Sequence, residues 1–466
     1  MKPYRRSLFL FERDLRIQDN AALHRACRES ETVYPCFFVS MLDIASAEKK
    51  NAHALAFVAS SVHELSEDIH QKGGALSIFT GSFERHISRI LKAQKINAIF
   101  INARYTPLFK KQITRIRHIC KLHGCACIIC DDALLYPPGS VLTEQETPYL
   151  VYSAFARKAL RKAPPKPLKS SLSTLSKHRL PKSISTKALT DIYSVRSSLR
   201  YHGGRREGLK YLKKISDLKS YAKDRDFVAL DRTSHLSAHH AFGTISIRET
   251  YWAIRGAFGP SHQLIKELLW RDFFTHIAFF HPHVFRKAFY SKYDRLRWNS
   301  RPSAFKAWQE GKTGVPIVDA GMRQLKKTGF LPNRVRMIVA SFLIKDLRID
   351  WRKGERYFAR TLIDEDPSVN NGNWQWVAST GCDAQPYLRI FNPWTQQKRF
   401  DPKAEYIRAW IPELAEVELK TIHRWDEVSK KESKTYHYPL PIVDHQKERQ
   451  KTLAWYRHAS KSRANP

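Results

Sequence analysis

The sequence predicts an α/β region built on a doubly wound, parallel five-stranded sheet, followed by an all-α region. Three observations predict this. Residues 1 to about 130 alternate short apolar runs with helical stretches. Residues 131–195 lose that alternation. From 196 onward aromatic residues recur at helical spacing, interrupted by breakers such as Gly259, Pro260, Gly314 and Pro316. A chain of 466 residues exceeds one hydrophobic core. The expected organisation is therefore an α/β domain over 1–130, a linker over 131–195 and a helical domain over 196–466.

The candidate strands are SLFLF (7–11), VYPCFFV (33–39), ALSIFT (75–80), AIFIN (98–102) and CACIIC (125–130), with helices near 20–30, 52–71, 84–94 and 108–123. Short apolar strands joined by helices pair in parallel and are covered on both faces. FERDLRIQDN stands where a dinucleotide binder would carry G-x-G-x-x-G, so this sheet is not a standard one. Cys120, Cys125, Cys127 and Cys130 lie close together, yet Cys125 and Cys127 alternate as strand residues and no second pair follows at finger spacing. They are expected as small buried hydrophobes rather than metal ligands. The linker is rich in Pro, Ser and Lys without an apolar period, and is expected to fold on neither side. In the helical region, Met337 to Ile344 reads as a buried helix.

Lys and Arg exceed Asp and Glu to give a net charge of +36, spread along the chain, which points to a polyanionic partner. No run approaches the roughly 18 apolar residues of a membrane span. The N-terminal SLFLF is too short for a signal peptide, and seven cysteines in a long chain suit a reducing compartment. A cytoplasmic monomer is expected.

The helical half interleaves Trp270, Trp298, Trp351, Trp374 and Trp376 with Arg271, Arg334, Arg336, Arg389 and Arg399. Aromatics beside arginines suit bases stacked next to phosphates. Three strings stand out: WQEGKTGVPIVDAGMRQL (308–325), NRVRMIVASFLIKDLRIDWRKGERYF (333–358) and NNGNWQWVASTGCDAQPYLRIFNPWTQQKRFDP (370–402). Together with FERDLRIQDNAAL and DRTSHLSAHHAFGTIS, in this order, they resemble the photolyase and cryptochrome family, and within it class I photolyases, over roughly residues 7–450.

The resemblance implies a flavin adenine dinucleotide (FAD) in the helical domain and DNA carrying pyrimidine dimers as partner. Its diphosphate would be held at Thr233, Ser234, Leu236 and Ser237, with Tyr221 nearby. Read on their own, Thr233 and Ser234 precede an apolar run as a helix cap does, and helix N-termini attract phosphate. Asn370 matches the residue facing the flavin nitrogen that is protonated on reduction, and Asp364, paired with Arg336, and Asp366 match the acids lining the ring.

The implied substrate pocket draws on Glu267 and Trp270, Asn333 and Met337, and Trp376. Positions i, i+3 and i, i+4 put each of the first two pairs on one helical face. Arg225, Arg271, Arg334 and Lys398 are the candidates for flanking phosphates. Trp374, Trp351 and Trp298 match the family's tryptophan chain for electron entry. Light-excited reduced flavin would donate an electron to the dimer, the cyclobutane bonds would break, and the electron would return.

Three members of the family remain to be separated: a repair enzyme for cyclobutane dimers, one for (6-4) photoproducts, and a cryptochrome that signals through a partner. The (6-4) enzymes carry a histidine pair where this chain has Asn333 and Met337, and signalling cryptochromes carry a long tail where little chain follows Trp455. Both departures favour dimer repair. The Asn-Glu pair of a folate antenna is replaced by Leu108 and Phe109, so a folate antenna is not expected, while a deazaflavin, another chromophore or an empty pocket stay open. Lys266 stands where a neutral residue is common.

Overall fold

The computed structural model describes residues 2–42, 51–169, 172–193, 201–383 and 388–461. The chain divides into two compact units, one of residues 1–219, 234–282 and 363–366, the other of residues 220–233, 283–362 and 367–466.

The first unit is organised by strands β1 (Tyr4–Phe11), β2 (Ser30–Phe38), β3 (Ser77–Phe79), β4 (Ala98–Asn102) and β5 (Ala126–Cys130), in the order β3-β2-β1-β4-β5 with every pairing parallel. Helices α1 (Ala21–Glu29), α2 (Ala52–Gln71), α3 (Phe83–Gln94) and α4 (Pro107–Leu122) connect them, so the five strands and four helices lie where the apolar alternation put them. Their ends have local causes. The side chain of Asn20 accepts from Leu23 N at 3.1 Å, and Thr106 caps α4 ahead of Pro107 in its first turn. One face of the sheet buries Leu8, Leu10, Ile99 and Ile101 against Ile87, Ile90, Ile113 and Ile116 of α3 and α4.

Cys120 is buried in this core, but Cys125, Cys127 and Cys130 are only half-buried. The expectation of full burial fails there because β5 is the edge strand of the sheet.

Residues 131–195 are more structured than an aperiodic linker. They carry α5 (Tyr152–Ala159) and α6 (Thr186–Ile192), and the backbone between them pairs with the sheet: Val33 N donates to Thr174 O, and Ser176 N to Val33 O, both at 2.8 Å. Leu172, Leu175, Leu180 and Leu189 supply the buried anchors. These leucines are too widely and irregularly spaced to register as a period. Positions 170–171, 194 and 195 of that segment lie outside the described residues.

The switch point of the sheet falls between β1 and β4, where the connections run in opposite directions. Just beyond it lies a small cleft lined by Arg13, Asp14, Arg16, Asn102, Asp132 and His240, among others. Several charges at and around it are paired. Arg16 meets Asp132 at 2.6 Å, Arg248 reaches Asp19 and Asp132 at 2.9 and 2.7 Å, and Arg13 meets Glu365 at 2.9 Å. Burial pushes the Asp132 carboxyl up, but Arg16 and Arg248 together hold it below the usual range. Gly243, at φ +63°, lets the backbone of Arg13 and Asp14 come so close that a Cβ there would lie 2.4 Å from Arg13 O. At the same close approach Leu15 N donates to Phe242 O at 3.0 Å.

The second unit is helical around one apolar core that includes Trp308, Val335, Val339, Leu343, Trp351, Trp374 and Trp425. The helix Asn333–Ser341 runs into a π-helical turn, Phe342–Asp346. That turn buries Lys345 and Asp346: Lys345 Nζ donates to Ala378 O at 3.3 Å and lies 4.1 Å from the centre of the Tyr456 ring, while Asp346 faces His445 at 2.5 Å. Among the described residues no helix is long and apolar enough to cross a membrane.

Candidate active site

In the first unit the helix Gln263–Phe280 presents Glu267 and Trp270, both half-buried. Glu267 accepts from Gln263 Nε2 at 2.8 Å, one turn back on the helix. Trp270 lies parallel to Tyr152, ring centres 3.6 Å apart and planes 7° apart, and packs edgewise on Phe273. Tyr152 was not singled out in the sequence, because its partner is 118 positions away and no local spacing links them.

Arg271, expected to face a phosphate, is turned inward instead. Its two Nη atoms donate to Ala133 O at 2.5 Å and His240 O at 3.4 Å, so it braces the helix by serving buried carbonyls. Beneath it Asp272 is fully buried and accepts from Tyr136 N at 2.9 Å; burial pushes its carboxyl up to about 7.

The candidate phosphate residues have mixed settings. Ser234 Oγ accepts from Leu236 N at 3.4 Å, Ser237 is exposed, and the helix they open, Ser237–Ala241, is only five residues long. A dipole of little more than one turn makes the hydroxyls and backbone amides the main contribution here. Asp364 is buried, Asp366 half-buried, and the residue between them, Glu365, is the carboxylate engaged by Arg13.

In the second unit the helix Asn333–Ser341 brings Asn333 Nδ2 to 3.8 Å from Met337 Sδ, so the i, i+4 pair shares a face. Arg334 binds Asp226 at 2.6 Å and lies 4.3 Å from the centre of the Phe400 ring, while Arg336 Nε donates to Leu331 O at 2.7 Å. Asn370 Nδ2 donates to Glu355 O at 3.0 Å, which fixes the orientation of its amide. Arg225 stands over the Tyr221 ring at 5.8 Å, and Lys398 is exposed on the helix Pro393–Phe400.

Among the polar side-chain atoms of this unit that are buried without a hydrogen-bond partner are Thr233 Oγ1 and Trp376 Nε1. Buried donors are seldom left so unless something outside the chain serves them. Trp376 lines a small groove with Ser341, Val377, Ser379, Arg389 and Phe391.

The three chain tryptophans run from core to surface. Trp374 and Trp351 are 2% and 1% exposed, and Trp298 is half-buried. Trp374 touches Phe358 with ring centres 5.0 Å apart, and Gly354 lets it lie flush on the helix Trp351–Thr361, one turn from Trp351: a Cβ at 354 would fall 2.2 Å from Trp374 Cη2. Asn299, next to Trp298, is tied to Arg348 O at 2.8 Å and Leu347 O at 3.2 Å, shortly before Trp351. Trp298 in turn meets Trp455 edge to face at 5.0 Å, a contact with no sequence signal.

A parallel five-stranded α/β unit and a helical unit cored by indoles, with no cluster of metal-type ligands among the described residues, define the class of proteins that join a doubly wound sheet to a helical bundle. Residues 7–172 match the family described as DNA photolyase and residues 264–458 the FAD binding domain of DNA photolyase. The deoxyribodipyrimidine photo-lyase of Escherichia coli (strain K12) is 36% identical over 478 residues, covering 98% of this chain and 99% of that one. Among solved structures, the archaeal photolyase from Sulfolobus tokodaii, with two FAD molecules, is 37% identical with a TM-score of 0.88, over 97% of this chain and 100% of that one. A class III photolyase from Agrobacterium tumefaciens is 35% identical with a TM-score of 0.89, over 98% of each chain. The chain belongs to the DNA photolyase family. It carries the family's FAD-binding domain, and the unpartnered Thr233 hydroxyl is the kind of donor a phosphate oxygen of that cofactor would take up.

Proposed function

We propose that this chain is a deoxyribodipyrimidine photo-lyase, which uses blue light to split cyclobutane pyrimidine dimers in DNA. One observation carries the reading: a helix face with Asn333 against Met337 at 3.8 Å, where the (6-4) chemistry would need two imidazoles. The FAD that the domain would hold would supply light-driven electron donation to the dimer and take the electron back, with no net redox change. The chain's own residues bind, orient and exclude water.

The dimer leaves the duplex at a cost of a few kcal/mol, least for a damaged step. Trp270 and Trp376 then pack on its apolar edges, and Glu267 hydrogen-bonds its carbonyl and imide edge. Negative charge developing on the dimer is stabilised most when such groups are fixed in a dry site. Thr233, Ser234, Leu236 and Ser237 would hold the diphosphate with Tyr221 alongside. Asn370, Arg336, Asp364 and Asp366 would line the flavin ring. Arg225, Arg334 and Lys398 would meet flanking phosphates, and Trp374, Trp351 and Trp298 would carry electrons inward.

Leu108 is exposed and Phe109 buried, and neither can accept a hydrogen bond from a pterin, which supports the absence of a folate antenna. The strings at 308–325, 333–358 and 370–402 support class I. The seven free cysteines support a cytoplasmic enzyme, here acting as a monomer on DNA.

The test is repair itself. Photoreduced protein is incubated with duplexes holding either a cyclobutane dimer or a (6-4) photoproduct under blue light, against dark controls. Loss of the cyclobutane dimer alone is expected. Loss of only the (6-4) lesion, or flavin-loaded protein that repairs neither, would overturn the reading, the latter in favour of a cryptochrome-type receptor.

A further inference from the structure

We propose that Tyr152 is a positioning residue for lesion recognition, holding the Trp270 indole as a preset shelf; this rests on the reading that Trp270 packs against the flipped dimer. Tyr152 opens α5, far in sequence from the helix Gln263–Phe280, and meets it through both its ring and its hydroxyl. Its ring covers one face of the indole at 3.6 Å and 7°, and its hydroxyl donates to Lys266 O at 2.7 Å, one turn before Trp270.

The stacking geometry argues for a framed position. Aromatic pairs left to themselves favour offset or edge-on arrangements over a face-to-face sandwich. Here the sandwich is held by the hydroxyl bond to the helix backbone and by Phe273, which meets both rings edge-on, at 78° to Tyr152 and 83° to Trp270. The indole is therefore braced by Tyr152 across one face, by Phe273 edge-on and by Phe274 at 5.4 Å and 32°, while the residue stays half-buried and so keeps surface for a flat partner.

A side chain ordered before binding loses no rotamer freedom when a base stacks on it, which is how preorganisation raises affinity. Undamaged duplex, whose bases stay in the helix, would gain nothing from the brace. The ring contributes the face and the hydroxyl contributes its register over the indole, so removal of each has a different effect.

The experiment compares affinities for dimer-containing and undamaged duplex, using flavin-loaded protein of the parent, Tyr152→Phe, Tyr152→Leu, Trp270→Ala and the Tyr152→Leu/Trp270→Ala double variant. Tyr152→Leu should reduce the damaged-to-undamaged affinity ratio roughly five- to tenfold, the low end of a stacking aromatic's effect, leaving undamaged binding unchanged. Tyr152→Phe, which keeps the stack, should stay within about twofold of the parent, and in the Trp270→Ala background Tyr152→Leu should do nothing more, as coupled residues require. Tyr152→Met serves as a second unstacked variant should the leucine variant melt early.

An unchanged ratio in both unstacked variants would overturn the role of Tyr152. So would a loss that persists in full without Trp270. If Trp270→Ala itself leaves the ratio at the parent value while the protein still repairs dimers, the assignment of Trp270 fails first and takes the shelf with it. Failure of all repair is read separately in the parent.

Discussion

Two sets of indoles in this chain differ in how they are enclosed. Trp374 and Trp351 are almost completely buried, and Trp374 is pressed among Phe358, Trp308 and the bare backbone of Gly354. Trp270 and Trp376 are half-buried, one braced by Tyr152 on a single face, the other bordering a groove with its Nε1 unserved. An indole enclosed on every side has a fixed distance to its neighbours and cannot admit a ligand, which suits the passage of electrons. An indole with an open flank can stack a base, and that contact is worth about 1–3 kcal/mol. On the proposed roles, exposure separates Trp374 and Trp351 from Trp270 and Trp376, while Trp298, half-buried like the second pair, is where the proposed relay would reach the surface.

The comparison breaks most sharply at Trp374. Trp374→Phe should abolish most photoreduction of oxidised flavin, read as bleaching of the flavin band under light with an external thiol. Chemically reduced variant should still repair dimers at close to the parent rate. If the prereduced variant were as defective as the oxidised one, the buried indole would belong to the repair step and the division would fail.

Next in size is the frame under Trp270. Asp272 is buried on the same helix with its carboxyl pushed up to about 7. The folded state then holds a proton that the unfolded chain, at the ordinary value of 3.8, gives up earlier. Its stabilising contribution is present below that ordinary value and is lost as pH rises through about 7. Melting curves of Asp272→Asn from pH 4 to 8 should therefore fall less with pH than those of the parent. The differential is bounded by about 4 kcal/mol at about 1.36 kcal/mol per unit. Parallel pH profiles would show that Asp272 is charged when folded.

Smaller again, Trp376→Ala should lower the preference for damaged over undamaged DNA by about 1–3 kcal/mol, in line with one lost stacking partner. Photoreduction should be unaffected, since Trp376 is not on the buried path. Equilibrium binding to paired duplexes, with and without a dimer, reads the first effect, and flavin bleaching the second.

How much of this was legible before folding follows the range of each interaction. Strand and helix positions in the first unit were, because each depends on an apolar run and a cap such as Asn20 or Thr106 within a few residues. The i, i+3 and i, i+4 pairs, Glu267 with Trp270 and Asn333 with Met337, were legible for the same reason. The docking of residues 172–189 on the sheet was not: four leucines in a Ser-, Pro- and Lys-rich text make no period. Nor was the inward turn of Arg271, since the carbonyls it serves belong to Ala133 and His240, remote in sequence. Tyr152 and Trp455 escaped because an aromatic's partner is set by tertiary packing. The relay tryptophans came from family resemblance, and only their burial gave them a physical reason.

The smallest expected effect separates stacking from plain charge. Lys398 is exposed on the helix Pro393–Phe400, and its ammonium can meet a phosphate without reading a base. Each such contact releases condensed counterions, so affinity falls with salt with a log-log slope of about −0.9 per phosphate neutralised. Lys398→Ala should weaken damaged and undamaged duplex by the same factor and make the salt slope shallower by about 1. Trp376→Ala, by contrast, should leave the slope alone and change only the ratio between the two duplexes. Titrations at four or five salt concentrations, run on both duplexes for both variants, give slope and ratio from one data set. A Lys398→Ala protein with the parent slope would remove that residue from the interface. One that lost discrimination as well would show that charge and stacking act through a single shared geometry, and the split between open indoles and surrounding cations would have to be redrawn.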